Sequence, residues 1–591
     1  MLFGYQKRAG AGFVFWILWQ YAASAGAADY YISASGGNDR YDGRAPSVIG
    51  SSGPFASFEP LQSLWLKGGD RVLLKCGDRF FGHIRIRLES SEPGELQITR
   101  YGDCPPGSEP VVDGREPLSE RSSGALVHVS PALPVEQVFE GDIPLREARF
   151  PEHGYLILPE GTSVSATQLP KFEGLPSSPL EGGRLHARTQ EWLVEEQDIT
   201  APNGRLQSAL RYPLRAKAGV YLTGKAWMIG DSPGWAYDSS ARILSVRGAS
   251  GGALTTVSKG NQLEVIGRGS VAISGLVFDA AGGDAIHLRV DGVATVRDVS
   301  IRRAIGNGVA IAGAANAVVY GSSIKDVGLD AVFFAEVRRT LVRRNRIVNA
   351  GMYAGPRPSL AAINAHRTES TTIDENVVEN SAYHGIRFSG DARVRRNYIV
   401  NSCLRLSDCG GIYTWRRNEK DRRPAAIVAG NVIIGAGGDT SVKFGVNDWF
   451  AGIYLDDYTN SVVVQNNAIV GVNQGIYLHN AVDSFVRNNF VRARLKTVVE
   501  LVDSARYSGR LEWNNLIESN AVRLGDFAGV FSETTGLNDL FFDGPKVRLN
   551  VLDVSISKTA KVESLNCDEE RFVDENESES MAGPLLKIFS C

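Results

Sequence analysis

The sequence predicts an all-β chain, a right-handed parallel β-helix of about 23-residue coils with a small inserted or flanking β subdomain. Three observations carry this reading. A two-part apolar unit recurs between Gly282 and Ile517, each unit alternates with period two, and no helical pattern of about 10 to 12 residues separates the units.

The first half of each unit is a short strand. It reads Ala285-Ile286-His287-Leu288, Gly308-Val309-Ala310-Ile311, Gly385-Ile386-Arg387-Phe388, Gly411-Ile412-Tyr413-Thr414, Gly452-Ile453-Tyr454-Leu455 and Gly475-Ile476-Tyr477-Leu478, with variants at 331–334 and 362–365. Ile286 to Val309, Val309 to Val332, Ile363 to Ile386 and Ile453 to Ile476 are each 23 residues apart, and the longer intervals are coils with looped-out insertions. Val, Ile and Phe on one side of each strand mark a half-buried sheet. Parallel strands joined by turns at a fixed period stack into a solenoid, and crossover handedness makes it right-handed.

The second half is a branched-apolar strand followed by Asn-x-(Ile/Val), at Asn345, Asn376, Asn397, Asn431, Asn467, Asn489 and Asn515. An amide at the same turn of every coil can bond the amides above and below it, so these asparagines are read as structural.

The flanks are read from composition. Lys7 and Arg8 precede an apolar run from Phe13 to Trp19 and small residues from Ala22 to Ala28, the order of a secretory signal peptide over 1–28. The run is short for the ~30 Å of hydrocarbon that an anchor must cross, so a periplasmic or secreted protein without stable membrane insertion after cleavage is expected. Residues 29–119 form opening coils whose Gly, Asn and Asp clusters make turns, as in 68–78, and 120–260 lose the period and form the irregular β subdomain. The repeats occupy 261–540, and 541–591, with an acidic stretch at 568–579, close the exposed coil edge as a cap.

Lys and Arg number 63 against 66 Asp and Glu, a net charge of −3, which gives no reason to expect nucleic acid as a partner. A monomer is expected. The six cysteines fall into sequence-local pairs, Cys76 with Cys104, Cys403 with Cys409 and Cys567 with Cys591, which in an exported chain points to disulfides. Their spacing is wrong for zinc.

The segment 30–39 (Tyr-Tyr-Ile-Ser-Ala-Ser-Gly-Gly-Asn-Asp), Ala-Arg-Phe-Pro at 148–151, Gly-Gly-Ile-Tyr-Thr at 410–414 and Gly-Ile-Tyr-Leu-Asp-Asp at 452–457 resemble the pectate-lyase-like right-handed β-helix superfamily, most of all its glycoside hydrolase branches. The resemblance spans nearly the whole mature chain and is specific for fold. For chemistry it implies a hydrolase, lyase, epimerase or tailspike, and it places Leu-Asp-Asp at 455–457 in an active site. Related coils carry an acidic residue soon after Ile-Tyr-Thr, whereas Trp415-Arg416-Arg417-Asn418 follows here.

Stacking turns the repeat into a map, because equivalent positions on successive coils lie about 4.8 Å apart. One outward column contains Arg387, Tyr413, Tyr454 and Tyr477, the next contains His366, Trp415, Asp456 and His479, and His384 precedes its strand's glycine. Aromatic rings stack on sugar C–H faces while Arg, His and Asp bind hydroxyls or move protons, so the patch is a candidate polysaccharide groove. His366, Arg387, Tyr413, Trp415, Arg416, Tyr454 and Tyr477 are the expected substrate contacts. Asp456, Asp457, His479, His384 and Asp408 are the expected acid/base groups.

Hydrolysis uses two carboxyls, about 5–5.5 Å apart for retention or 6.5–9.5 Å for inversion. Asp408 lies four residues before Ile412 and Asp456 three after Ile453; extended chains would hold them about 20 Å apart, so Asp408 qualifies only if its loop folds back. Glu419, Asp439 and Asp448 in the long insertion are other partners for Asp456. The same insertion carries Arg416, Arg417, Lys420, Arg422 and Arg423, which suits an anionic polysaccharide.

The expected activity is cleavage of glycosidic bonds in a polysaccharide by carboxylate-assisted hydrolysis, needing no cofactor or metal. A lyase or C5-epimerase acting on uronates is the alternative, with Arg387, His384 and Tyr413 at C5 and Ca²⁺ possible on Asp456 and Asp457. A non-catalytic carbohydrate-binding surface protein is the third reading.

Overall fold

The computed structural model describes residues 27–492 except 90–93, 123, 163, 171–174, 176, 354–359, 419, 439–441 and 443–449, and beyond 492 the backbone of further strands at 493–503, 516–518, 521–523, 531–535, 546–548 and 551–553. Residues 1–26 of the expected signal peptide, Asn515, the acidic stretch, Cys567 with Cys591, and Glu419, Asp439 and Asp448 lie outside the described residues.

Each coil contributes a strand to each of three parallel faces. On the face that carries the candidate residues, Ile286 pairs with Val309, Val309 with Val332, Val332 with Ile363, Ile363 with Ile386, Ile386 with Ile412, Ile412 with Ile453 and Ile453 with Ile476. That is the register given by the Gly-Ile-x-Φ pattern, and the long intervals are absorbed by loops. The branched side chains point inward: Ile286, Val309, Val332, Ile363, Ile386, Ile412, Ile453 and Ile476 are buried in one continuous core.

Corners repeat as faithfully as strands. The residue before each ladder asparagine has positive φ, as at Arg344, Glu375, Arg396, Asn466 and Asn488, so the chain turns and drops the next side chain inward. Asn345, Asn376, Asn397, Asn431, Asn467 and Asn489 then form an unbroken buried ladder, each side-chain amide donating to the next side-chain carbonyl at 2.9–3.0 Å. A second, more exposed ladder runs through Asn349, Asn380 and Asn401 at another left-handed corner, and the repeat reading did not single it out.

The stack opens before the regular repeats. Asp29–Ile32, Arg71–Lys75 and Glu95–Tyr101 pair in parallel, and Ile84 pairs directly with Leu263, so the intervening chain leaves the helix and returns to it. The excursion, from Arg115 to Ser258, folds into antiparallel sheets with its own apolar core around Leu185, Leu214, Val220 and Leu222. Cys76 is bonded to Cys104 and Cys403 to Cys409. Among the described residues no helix is long and apolar enough to cross a membrane.

Candidate active site

Asp456 directly follows the strand Phe450–Leu455, and it is held from three sides. Tyr413, one coil before it, donates its hydroxyl to Oδ2 at 2.8 Å; Tyr454 on its own strand lies 3.1 Å from Oδ1; and His479, one coil beyond, places Nδ1 2.7 Å from Oδ1. Asp457 accepts from Asn480 Nδ2 at 2.6 Å, with His479 Nδ1 at 3.5 Å.

Asp408 also reaches this cluster. The Tyr454 hydroxyl lies 3.1 Å from Asp408 Oδ1 as well, so the two carboxylate oxygens are no further apart than twice that distance. The extended-chain separation of about 20 Å is thereby corrected. Cys403 and Asp408 both have positive φ, the disulfide to Cys409 closes the short loop between them, and the Tyr383 hydroxyl donates to the Asp408 carbonyl at 2.8 Å. The segment folds back on itself and brings the carboxyl to the Tyr454 hydroxyl.

A phenol has one hydrogen, and Tyr454 faces two carboxyls. The network closes when Asp408 carries a proton, donates to the Tyr454 oxygen, and Tyr454 donates to Asp456. Electrostatics agree: burial and the charge of Asp456 push Asp408 well above the ordinary carboxylate range, against the lowering effect of the Tyr454 bond.

The tyrosine column is less open than its outward position suggested. Tyr454 and Tyr477 are each 2% exposed and pack with Tyr413 and Ala451 in a separate apolar cluster outside the coil core. Their ring faces are covered, so the expected aromatic platform for sugar is not formed by these three; what Tyr413 and Tyr454 turn toward the carboxylates is a hydroxyl.

His384 is likewise sealed. Its ring stacks on that of Tyr413, centroids 3.9 Å apart and planes nearly parallel, and lies against Tyr383, and its Nδ1 accepts from the Gly410 amide at 3.2 Å. Burial and the Arg387 charge hold it well below the usual histidine range, and its ring packs on that of Tyr413.

At the other end of the patch, His366 stacks on Trp415, ring centroids 5.1 Å apart, and burial with the charges of Arg387 and Arg416 lowers it to about 3. Trp415 is only partly buried, unlike the three tyrosines. Arg387 lies beside the Tyr413 ring. Arg416 is 2% exposed, bonded to Thr414 Oγ1 at 3.0 Å, with Nε and Nη2 lacking any hydrogen-bond partner among the described residues.

The sequence reading missed the groups that hold Asp408. Ser407 donates its amide to the Glu191 carbonyl at 3.2 Å, and Arg188 reaches Ser407 Oγ at 3.1 Å; both partners come from a hairpin of the inserted subdomain. No periodicity points from 120–260 to this loop. The close Cys403 and Cys409 pair did contain a usable signal, because a short closed loop cannot run extended. A separate cleft of about 570 Å³, lined by the inserted subdomain and the first coils, contains none of the candidate residues, and its Arg184 and Asp198 are paired with each other at 2.9 Å.

Residues 261–433 match the family of right-handed β-helix regions. The fold is the right-handed parallel β-helix. A solved structure described as a glycoside hydrolase matches this β-helix over 84% of this chain and 96% of that one, at 14% identity and a TM-score of 0.54, which is a likeness of fold. XylC in complex with xylose (10% identity, 84% of this chain, 70% of that chain, TM-score 0.34) and a periplasmic alginate epimerase (15%, 49% and 70%, 0.34) also match. No curated protein matches the chain.

Proposed function

We propose that this β-helix is an exported carbohydrate-active enzyme that hydrolyses glycosidic bonds in a polysaccharide, with Asp408 as the acid and Asp456 as the carboxylate acting at the anomeric carbon. The observation that carries the reading is the shared contact of Tyr454 with both carboxyls, one pushed above the ordinary carboxylate range by burial and the charge of Asp456, the other accepting from Tyr413 and Tyr454.

The chemistry follows from that asymmetry. Asp408 gives its proton to the glycosidic oxygen as the C1–O bond breaks, and Asp456 forms a bond to C1. Water then displaces Asp456 and returns a proton to Asp408. Tyr413 and His479 bind the Asp456 carboxylate and orient it. Asp457, tied to Asn480, is a supporting group.

A second reading, elimination or C5-epimerisation on an acidic polysaccharide, is favoured by Arg387 and Arg416, whose buried Nε atoms have no hydrogen-bond partner among the described residues. A uronate carboxyl beside Trp415 would pair with them. Asp456, Asp457 and His479 lie close enough to share a cation, yet calcium takes six to eight oxygens. An imidazole and two carboxylates already engaged with Tyr413, Tyr454 and Asn480 fit it poorly, so no step is routed through a metal.

Incubation of the mature protein with neutral and acidic polysaccharides tests the reading. Reducing ends without ultraviolet absorbance, lost in Asp456→Asn, support hydrolysis; ends with unsaturated-uronate absorbance replace it with elimination. Binding without any product makes the protein a non-catalytic carbohydrate binder.

A further inference from the structure

The strand pair Arg184–Gln190 and Leu193–Asp198 of the inserted subdomain turns at Glu191 and Trp192, directly against the loop that carries Asp408. Two bonds join them: the Ser407 amide to the Glu191 carbonyl, and Arg188 Nη2 to Ser407 Oγ. Arg188 also donates to the Glu191 carbonyl at 3.3 Å, so one guanidinium ties the hairpin turn and the loop together. It is fully buried, and Ser407 is nearly so. A buried guanidinium is costly to desolvate and its bonds are correspondingly hard to replace.

On its other flank the loop is held by the coils themselves, through Cys409 and the Tyr383 hydroxyl. Asp408 sits between these two anchors in a left-handed conformation that the loop would not keep unaided.

We propose that this hairpin turn, through Arg188 and the Glu191 carbonyl, is a positioning element for Asp408, and that the inserted subdomain is a working part of the active site and no separate binding module. The claim rests on the reading of Asp408 as the acid only for its catalytic consequence; the positioning itself is testable without activity. The groups facing Asp408 are Asp456, Tyr454, Tyr383 and His479 from the coils and Glu191 from the hairpin. The Glu191 charge adds to that of Asp456 in keeping the proton on Asp408.

Carbodiimides label protonated carboxyls, so labelling of Asp408, mapped by mass spectrometry across pH, reports its proton directly. Wild type is expected to label at neutral pH. Arg188→Met is expected to move the labelling midpoint toward acid by about one pH unit, with Arg188→Lys close to wild type, whereas Glu191→Gln keeps the carbonyl contact and moves the midpoint toward acid through charge alone. On substrate, Arg188→Met should lower kcat by about 10- to 100-fold with little change in KM, and shift the alkaline limb of the pH profile downward. A labelling profile unchanged in Arg188→Met, with superimposable circular dichroism, overturns the proposal. Should Arg188→Met not fold, Ser407→Ala, which removes the side-chain acceptor of the Arg188 bond, carries the same test. Full activity in Asp408→Asn would sink the catalytic reading alone, and the labelling would still decide the positioning.

Discussion

His479 stands one coil beyond Asp456, with Nδ1 2.7 Å from its Oδ1. Burial alone would strip the imidazole of its proton, but the hydrogen bond to Asp456 and the charges of Asp456, Asp457 and Asp408 outweigh it, and the net shift is upward. A group whose folded value is raised contributes stability that is complete below its unfolded value, ~6.5, and is lost as pH rises through the folded value. His479→Gln should therefore lower the denaturation midpoint in mildly acidic buffer and converge on wild type at alkaline pH. Denaturant titrations at three or four pH values check this.

The carboxyl pair predicts an asymmetric pH response. Asp408 must hold its proton to act as an acid, so turnover should decline as pH rises through its raised value. Asp408→Asn and Asp456→Asn should each cost at least about 1,000-fold in kcat. Asp408→Asn should also raise the thermal midpoint at neutral pH, because a carboxyl that keeps its proton in the fold releases it on unfolding, which favours the unfolded chain above the ordinary carboxylate range, and the amide cannot ionise. A melting point that falls in Asp408→Asn would show that the carboxyl stabilises its loop.

The spacing of the pair predicts stereochemistry. Two carboxylate oxygens that share one phenol leave less room than the separation of about 6.5–9.5 Å at which a water fits between acid and base. Products should retain anomeric configuration, as seen by NMR of the first-formed sugar, and inversion would remove Asp456 from the role of nucleophile.

The fold was legible because its signals are local and repeated. Ile453, Tyr454 and Leu455 announce a strand, and the 23-residue step to Ile476 announces its neighbour; the pairing of Ile453 with Ile476 only restates that arithmetic. The column placing His479 beyond Asp456 was legible for the same reason. Asp408 was not, because a register argument assumes extended chain, and positive φ at Cys403 and Asp408 violates it. The covered rings of Tyr454 and Tyr477 were hidden too: facing outward on a strand does not reveal which loops lie above. Arg188 and Glu191 come from a segment without period, more than two hundred residues from the loop they hold, and no pattern in the chain joins them.

The asparagine ladder allows a prediction that separates fold from chemistry. Asn397 donates to Asn431 Oδ1 and to the Ile373 carbonyl, each at 3.0 Å, and accepts from both the amide and the side chain of Asn376. Leucine at this position would leave several buried groups unpaired, each worth about 1–3 kcal/mol. Because these losses overlap, the expected cost is about 3–5 kcal/mol in total. Asn401, in the second ladder, is exposed and donates only to Asn380 at 3.1 Å, so Asn401→Ala should cost no more than about 1–2 kcal/mol, mostly from its left-handed backbone. The expected ranking is Asn397→Leu far below Asn401→Ala in unfolding midpoint, with kcat per folded molecule unchanged in both. Equal midpoints would mean that the coils are held by their apolar core alone and that the buried ladder adds nothing to it.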